Sequence, residues 1–286
     1  MATNVPQQLT NADKVCNLSV KGKSMNPLSL AKKMVNMALA PMGYHVAPLP
    51  QDAVRRNDRT DPALAVNEGL KPDSLRVLNL LRYTKSSGSD YDATEFPAGY
   101  HSITLDGKYF DGQRKPSERL TKVPFDFEGK SALDIGCNQG GMLHALTSQL
   151  SWGVGIDYDH RMINAANRVR RHNGERHLDF YVFDLEKEPL DYIGDFLVED
   201  RVDIVFLLSV CMWIRNWVDV IAWAAGRSDH MLFESNGSEE QQRDQEVQLR
   251  RHYANVQLVS ASSDDDPGQR DRKLYFCSRL PLPPAA

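Results

Sequence analysis

The chain has 286 residues, 41% hydrophobic and 25% charged, with a formal net charge of −4. This is the composition of a globular protein, and the acidic balance argues against one that coats nucleic acid. The longest apolar runs, such as 205–210, fall far below the ~18 residues of a membrane span. Four cysteines (Cys16, Cys137, Cys211, Cys277) are widely spaced and predict buried free thiols, and no spacing of His, Cys and carboxylates predicts a metal site.

Residues 1–26 are polar, and the first 25 lack the apolar core of a secretory signal, which predicts a cytoplasmic protein. Asn26-Pro27 opens a helical pattern (Leu28, Leu30, Ala31, Met34, Val35, Ala38, Leu39) that Pro41 and Gly43 stop. With Lys32 and Lys33 on its polar side, the stretch 27–40 suits packing on its own protein or a partner, with peripheral membrane contact the second reading. A proline-bearing segment, 48–72, reads as a linker. Asp73 then caps a second amphipathic helix carrying Leu75, Val77, Leu78, Leu80 and Leu81. The organisation expected is an extension over 1–99, a domain over 100–280 and a tail over 281–286, with 1–95 a candidate arm for a partner protein.

The block before the domain, from Tyr100-His101 to Lys108-Tyr109-Phe110-Asp111-Gly112-Gln113-Arg114-Lys115-Pro116 and Arg119, is aromatic, basic and glycine-bearing. It reads as a segment folded over a ligand, with Arg114 reaching a carboxylate or phosphate, or as a solvated turn. From 129 onward, strand-like runs at 131–135, 152–156, 178–183, 202–209 and 230–234 alternate with helical stretches at 140–150, 160–172, 188–199 and 215–226. That alternation predicts an α/β fold whose parallel sheet is covered on both faces. A helix at 238–252 and two strands, 256–260 and 273–278, close the chain. Their joining loop, Asp264 to Gly268, contains no helix, so these strands should pair antiparallel.

Residues 131–142 carry the most information. A buried strand ending in Asp134 runs into a bend holding Gly136, Gly140 and Gly141, then into a helix. Glycines there let backbone N–H groups approach a ligand, and the helix N-terminus favours polar or anionic groups. After the next strand come Asp157, Tyr158 and Asp159, about 20 residues beyond the glycine turn, where nucleoside-binding sheets place a ribose acceptor. Asp157 can accept from both ribose hydroxyls, and Asp159 suits the cap of the helix from His160.

The order Asp134-x-Gly136-x-Asn138-x-Gly140 resembles motif I of the class I S-adenosylmethionine-dependent methyltransferases, D-x-G-x-G-x-G, with Asn138 replacing the middle glycine. The blocks Y-F-x-G-Q-R-K-P-x-x-x-R-L, F-x-G-K-x-x-L-D-I-G-C-N-x-G and L-S-V-x-x-W-I-x-N-W resemble two branches of that family. One comprises bicoid-interacting-type RNA methyltransferases, the other bacterial polysaccharide and small-molecule methyltransferases. The resemblance implies a Rossmann-like sheet of seven strands, mostly parallel with the last antiparallel, and S-adenosyl-L-methionine as cofactor. It implies that Asp134 faces the cofactor's amino-acid end, that Tyr109 and Arg114 flank the same end, and that Asp184 and Leu185 meet the adenine. Tyr158 and Ser209 are counted with this set.

Trp213, Arg215 and Trp217 follow the fourth strand and Asn236 follows the fifth, so they are the candidate acceptor residues. Trp213 and Trp217 lie four apart, on one face if the turn is helical, and Arg215 there asks for an anionic partner. His101 and Glu234 are the candidate bases, needed only if the acceptor is a protonated hydroxyl or amine. The acceptor favoured is a small or glycan-linked hydroxyl or phosphate oxygen. RNA stands as the alternative because Arg161, Arg168, Arg170, Arg171, Arg176 and His177 gather on and beyond one helix. A cofactor-binding partner subunit without catalysis is the third reading.

Overall fold

The computed structural model describes residues 70–83, 96–263 and 271–280. The stretches 1–26, 27–40 and 84–95, most of 48–72, the 264–268 loop and the 281–286 tail therefore lie outside the described residues. Elements in chain order are α1 (Pro72–Tyr83), β1 (Ile103–Leu105), β2 (Lys108–Phe110), α2 (Pro116–Leu120), β3 (Ser131–Ile135), α3 (Gly141–Ala145) and β4 (Trp152–Asp157). There follow α4 (His160–Asn173), β5 (Leu178–Val182), a 3-10 helix at Leu190–Phe196, β6 (Ile204–Leu208), a 3-10 turn at Cys211–Trp213 and α5 (Trp217–Arg227). The chain closes through β7 (His230–Glu234), α6 (Glu239–His252), β8 (Asn255–Ser260) and β9 (Leu274–Ser278).

Continuous apolar strands need both faces covered, and β3 and β9 are buried along their whole length. The seven-stranded sheet runs β5-β4-β3-β6-β7-β9-β8. β3 to β7 pair in parallel, and β9 enters antiparallel between β7 and β8. This is the expected seven-stranded, mostly parallel Rossmann-like arrangement. The strand order reverses at β3, so a crevice opens beyond the carboxyl ends of β3, β4 and β6.

Local elements differ from expectation in three places. The helix expected over 140–150 is only Gly141–Ala145, since Thr147-Ser148 favours turns over helix. The helix expected over 188–199 is the 3-10 segment, with Pro189 before it and Gly194 inside. Asp73 sits within the first turn of α1. Its carboxylate binds Arg168 and His172 of α4, while Val77, Leu78 and Leu81 of α1 pack with Ala165 and Val169 of α4. The helix thus lies on the sheet domain. Asp159 caps α4, its carboxylate accepting from Arg161 N at 2.9 Å. Among the described residues no helix is long and apolar enough to cross a membrane. Cys137, Cys211 and Cys277 are free and buried, and desolvation raises all three thiols.

One packing device fixes the sheet beneath the site. The Phe180 ring fills space left by two glycines: a Cβ on Gly155 would lie 2.6 Å from its Cδ1 and 2.8 Å from Cys137 Sγ, and one on Gly140 2.5 Å from its Cε1. We expect Gly155→Ala to cost about 3 kcal/mol in denaturant unfolding, the upper part of the range for overpacking a core. A change under about 0.5 kcal/mol would show that Phe180 moves aside freely.

Candidate functional site

The glycine turn is built by backbone bonds to the neighbouring strand. Gly136 N and Cys137 N both donate to Ile156 O, at 2.8 and 3.0 Å, and Gly140 N donates to Cys137 O at 2.8 Å. Asn138 takes the left-handed conformation (φ 51°) that glycine favours and Asn tolerates, and its side-chain oxygen accepts from Gln139 N at 2.8 Å. Asn138 therefore replaces the family's middle glycine without leaving that backbone region. Gly136 (φ 79°) lies against Val210, whose Cγ2 would stand 2.5 Å from an added Cβ.

Against this turn opens a cleft of about 440 Å³, within the ordinary ligand-site range. Its lining includes Gly136, Asn138, Asp157, Tyr158, Asp184, Leu185, Ser209 and Trp213 of the expected residues. Asp157 bridges turn and strand: one carboxylate oxygen accepts from Asn138 N, the other from Asp159 N, both at 2.9 Å. Burial lifts its pKa, against the pull of those N–H groups. Asp184 caps the turn after β5 and pairs with Lys187 at 2.7 Å; that bond holds its pKa down. Ile156, Phe183, Leu185, Val210 and Ile214 give the cleft an apolar slot beside Asp157 and Asp184.

Deeper in, Asp134 borders a cavity of about 30 Å³ with Tyr100, His101, Arg119 and Glu234. Its Oδ2 is buried without a hydrogen-bond partner. Burial first, then the Asp157 carboxylate, pushes its pKa to about 8. Such an oxygen asks for a proton or for a cationic donor.

Several expected positions are corrected. Tyr109 does not face the cleft; it lies on β2 and lines a separate groove with His144 and His172. Tyr100 lines the cleft instead. Arg114 is buried, 5.9 Å from the Tyr100 ring centroid, and donates to Ser263 at 2.6 Å. Gly140 does not line the cleft, and a Cβ there would meet the Phe180 ring. Trp213 and Trp217 do not share a helical face, because extended Ile214 separates the 3-10 turn from α5. Trp213 is 68% exposed at the rim, whereas Trp217 packs on the core. Arg215 is nearly fully exposed, against Glu186 at 3.6 Å, so no buried charge needs compensating there. Asn236 is wholly buried and held by Gln245 and Met212 N.

The two candidate bases are both engaged. His101 Nδ1 accepts from Gly141 N at 3.3 Å, and the ring occupies space a Cβ on Gly141 would need. Glu234 accepts from Arg119 at 2.9 Å and from the hydroxyls of Ser209 and Ser263, with Arg114 and Arg272 at 3.8 and 3.9 Å. Ser209 holds a left-handed backbone (φ 59°), a strain of the kind that gathers at functional sites.

Residues 133–227 match the family model described as a methyltransferase domain. That match covers about a third of the chain, and the sheet order agrees with the Rossmann-like arrangement expected for such a domain. Among solved structures it is similar to WbdD with a kinase inhibitor (TM-score 0.49, 21% identity, 60% of this chain and 43% of that one). It is similar also to the N-terminal domain of EvdMO1 with SAH and D-fucose (0.49, 13%, 65% and 93%) and to an SAM-dependent methyltransferase from Aquifex aeolicus (0.42, 14%, 59% and 91%). The chain thus spans about two fifths of the WbdD structure. No curated protein matches it.

Proposed function

We propose that this protein transfers the methyl group of S-adenosylmethionine to an oxygen of a small or glycan-linked acceptor, a hydroxyl or a phosphate. The observation that carries the cofactor half is the placement of Asp157 against the Asn138 N–H at the mouth of the glycine turn. The residues present fit the group: Asp157 supplies acceptors for ribose hydroxyls, the apolar slot suits an adenine, and the unpartnered Asp134 Oδ2 suits an ammonium. Bound there, the cofactor supplies an electrophilic methyl group on a sulfonium.

The chain's own work is to orient and to exclude water. In-line displacement requires the acceptor oxygen about 3 Å from the methyl carbon, so positioning dominates. With His101 Nδ1 and the Glu234 carboxylate already accepting hydrogen bonds, an acceptor that arrives without a proton to lose, such as a phosphate oxygen, suits the site best. Exposed Trp213 and Tyr158 at the rim offer ring faces to a sugar or other flat acceptor group. Three of the five arginines that favoured RNA are matched by acids: Arg161 with Asp159, Arg168 with Asp73, Arg170 with Asp179. This weakens the RNA reading.

The test is incubation with methyl-labelled cofactor and fractionated extract, separating RNA, glycan and small-molecule pools. Label in the glycan or small-molecule pool supports the proposal. Label confined to RNA overturns the acceptor half. Binding of S-adenosylhomocysteine with label in no pool favours a partner subunit.

A further inference from the structure

One buried side chain joins three separate stretches of chain at the cleft. Gln139 lies in the glycine turn and is only 2% exposed. Its Oε1 accepts from Tyr100 N at 3.1 Å and from His101 N at 3.2 Å. Its Nε2 donates to Leu81 O at 3.4 Å, a carbonyl in the last turn of α1, where helix carbonyls lack intrahelical partners. Gly99 (φ 81°) makes room for this junction: a Cβ there would stand 3.1 Å from Leu81 O and 3.2 Å from Gln139 Nε2.

The opposite edge of the same segment is held by backbone. Gln113 N donates to Gly99 O, Arg114 N to Tyr100 O and Ser102 N to Arg114 O, at 2.8 to 3.0 Å. The segment 99–102 is thus held from both sides, with the Gln139 amide on the side of the glycine turn. Tyr100 is the residue this grip positions, since it borders both the cleft and the small cavity at Asp134. His101, the next residue, anchors the start of α3 through Gly141 N.

We propose that Gln139 is a positioning residue for the cofactor site: its amide holds Tyr100 over the cleft and ties the end of α1 to the glycine turn. The proposal rests on the cofactor reading above. Gln139 touches the cofactor in no step; it acts through Tyr100. The chemistry divides between its two ends. The oxygen accepts from two backbone N–H groups and the nitrogen donates to one helix carbonyl, so losing the oxygen removes two of these three bonds.

Two variants of the full chain test this. Gln139→Met keeps the length and removes both functions; Gln139→Glu, kept neutral by burial, retains an acceptor and an O–H donor and is the rescuing variant. Titration calorimetry with S-adenosylhomocysteine, circular dichroism and hydrogen exchange of the peptide covering Tyr100 and His101 are read together. For Gln139→Met we expect a Kd raised at least tenfold, native circular dichroism and lost protection at those amides; for Gln139→Glu, a Kd within threefold of the native chain. If Gln139→Met fails to fold, Gln139→Glu decides, a tenfold weaker Kd overturning the proposal. Equal Kd in all three chains, or equal weakening in both variants, also overturns it. Absence of binding to the native chain would instead sink the cofactor reading.

Discussion

Asp157→Ala should raise the Kd for S-adenosylhomocysteine at least a hundredfold, as measured by titration calorimetry. The carboxylate holds the Asn138 and Asp159 amides from its two oxygens and lines the cleft, and with about four lone-pair sites it can accept further bonds. Hydrogen bonds to a charged group contribute about 1.5–3 kcal/mol each, so losing two ribose contacts accounts for two or more orders of magnitude. The loss is compounded because the Asn138 N–H, and with it the left-handed turn, would lose its anchor. Asp159→Ala is the matched control. It removes the cap of α4 and the ion pair with Arg161, costing about 1 kcal/mol of stability, and should leave the Kd within threefold. Equal effects of the two substitutions would mean that Asp157 serves the turn alone.

The parts of this site written locally were readable. Asp134, Gly136, Asn138 and Asp157 follow from a strand, a turn and the next strand, and their placement depends on pairing between adjacent parallel strands. Tyr109 was misjudged although the signal to correct it was present. Leu105-Asp106-Gly107-Lys108 is an Asp-Gly hairpin turn between short strands, and both turn residues take positive φ (50° and 74°). That reversal carries Tyr109 to the outer groove and leaves Tyr100 at the cleft. At Gly140 the room a side chain would need is taken by Phe180, forty residues away. Asn236 depends on Gln245 reaching back from α6, and Arg114 on Ser263 and Glu234; no local pattern announces such partners.

Cofactor binding should release close to one proton per molecule near pH 7, and Asp134 is the source. In the free protein its carboxyl is desolvated and faces Asp157, which raises its pKa from 3.8 to about 8. The folded chain therefore holds a proton there that the unfolded chain gives up. Between about pH 4 and 8 this group makes the free protein less stable as pH rises, with no further loss above 8. The full span amounts to about 6 kcal/mol as an upper bound. Asp134→Asn, uncharged throughout, should flatten that slope and be the more stable chain at pH 8.5 when no cofactor is present. A cationic ligand beside the orphan Oδ2 reverses the preference and favours the carboxylate, so affinity should climb toward pH 8 and then level off. Calorimetry in two buffers of different ionisation enthalpy counts the protons directly. Release near one in the native chain and near zero in Asp134→Asn is the expected pair. Zero release in both would mean that Asp134 keeps its proton beside the ligand, acting as a neutral donor within the turn.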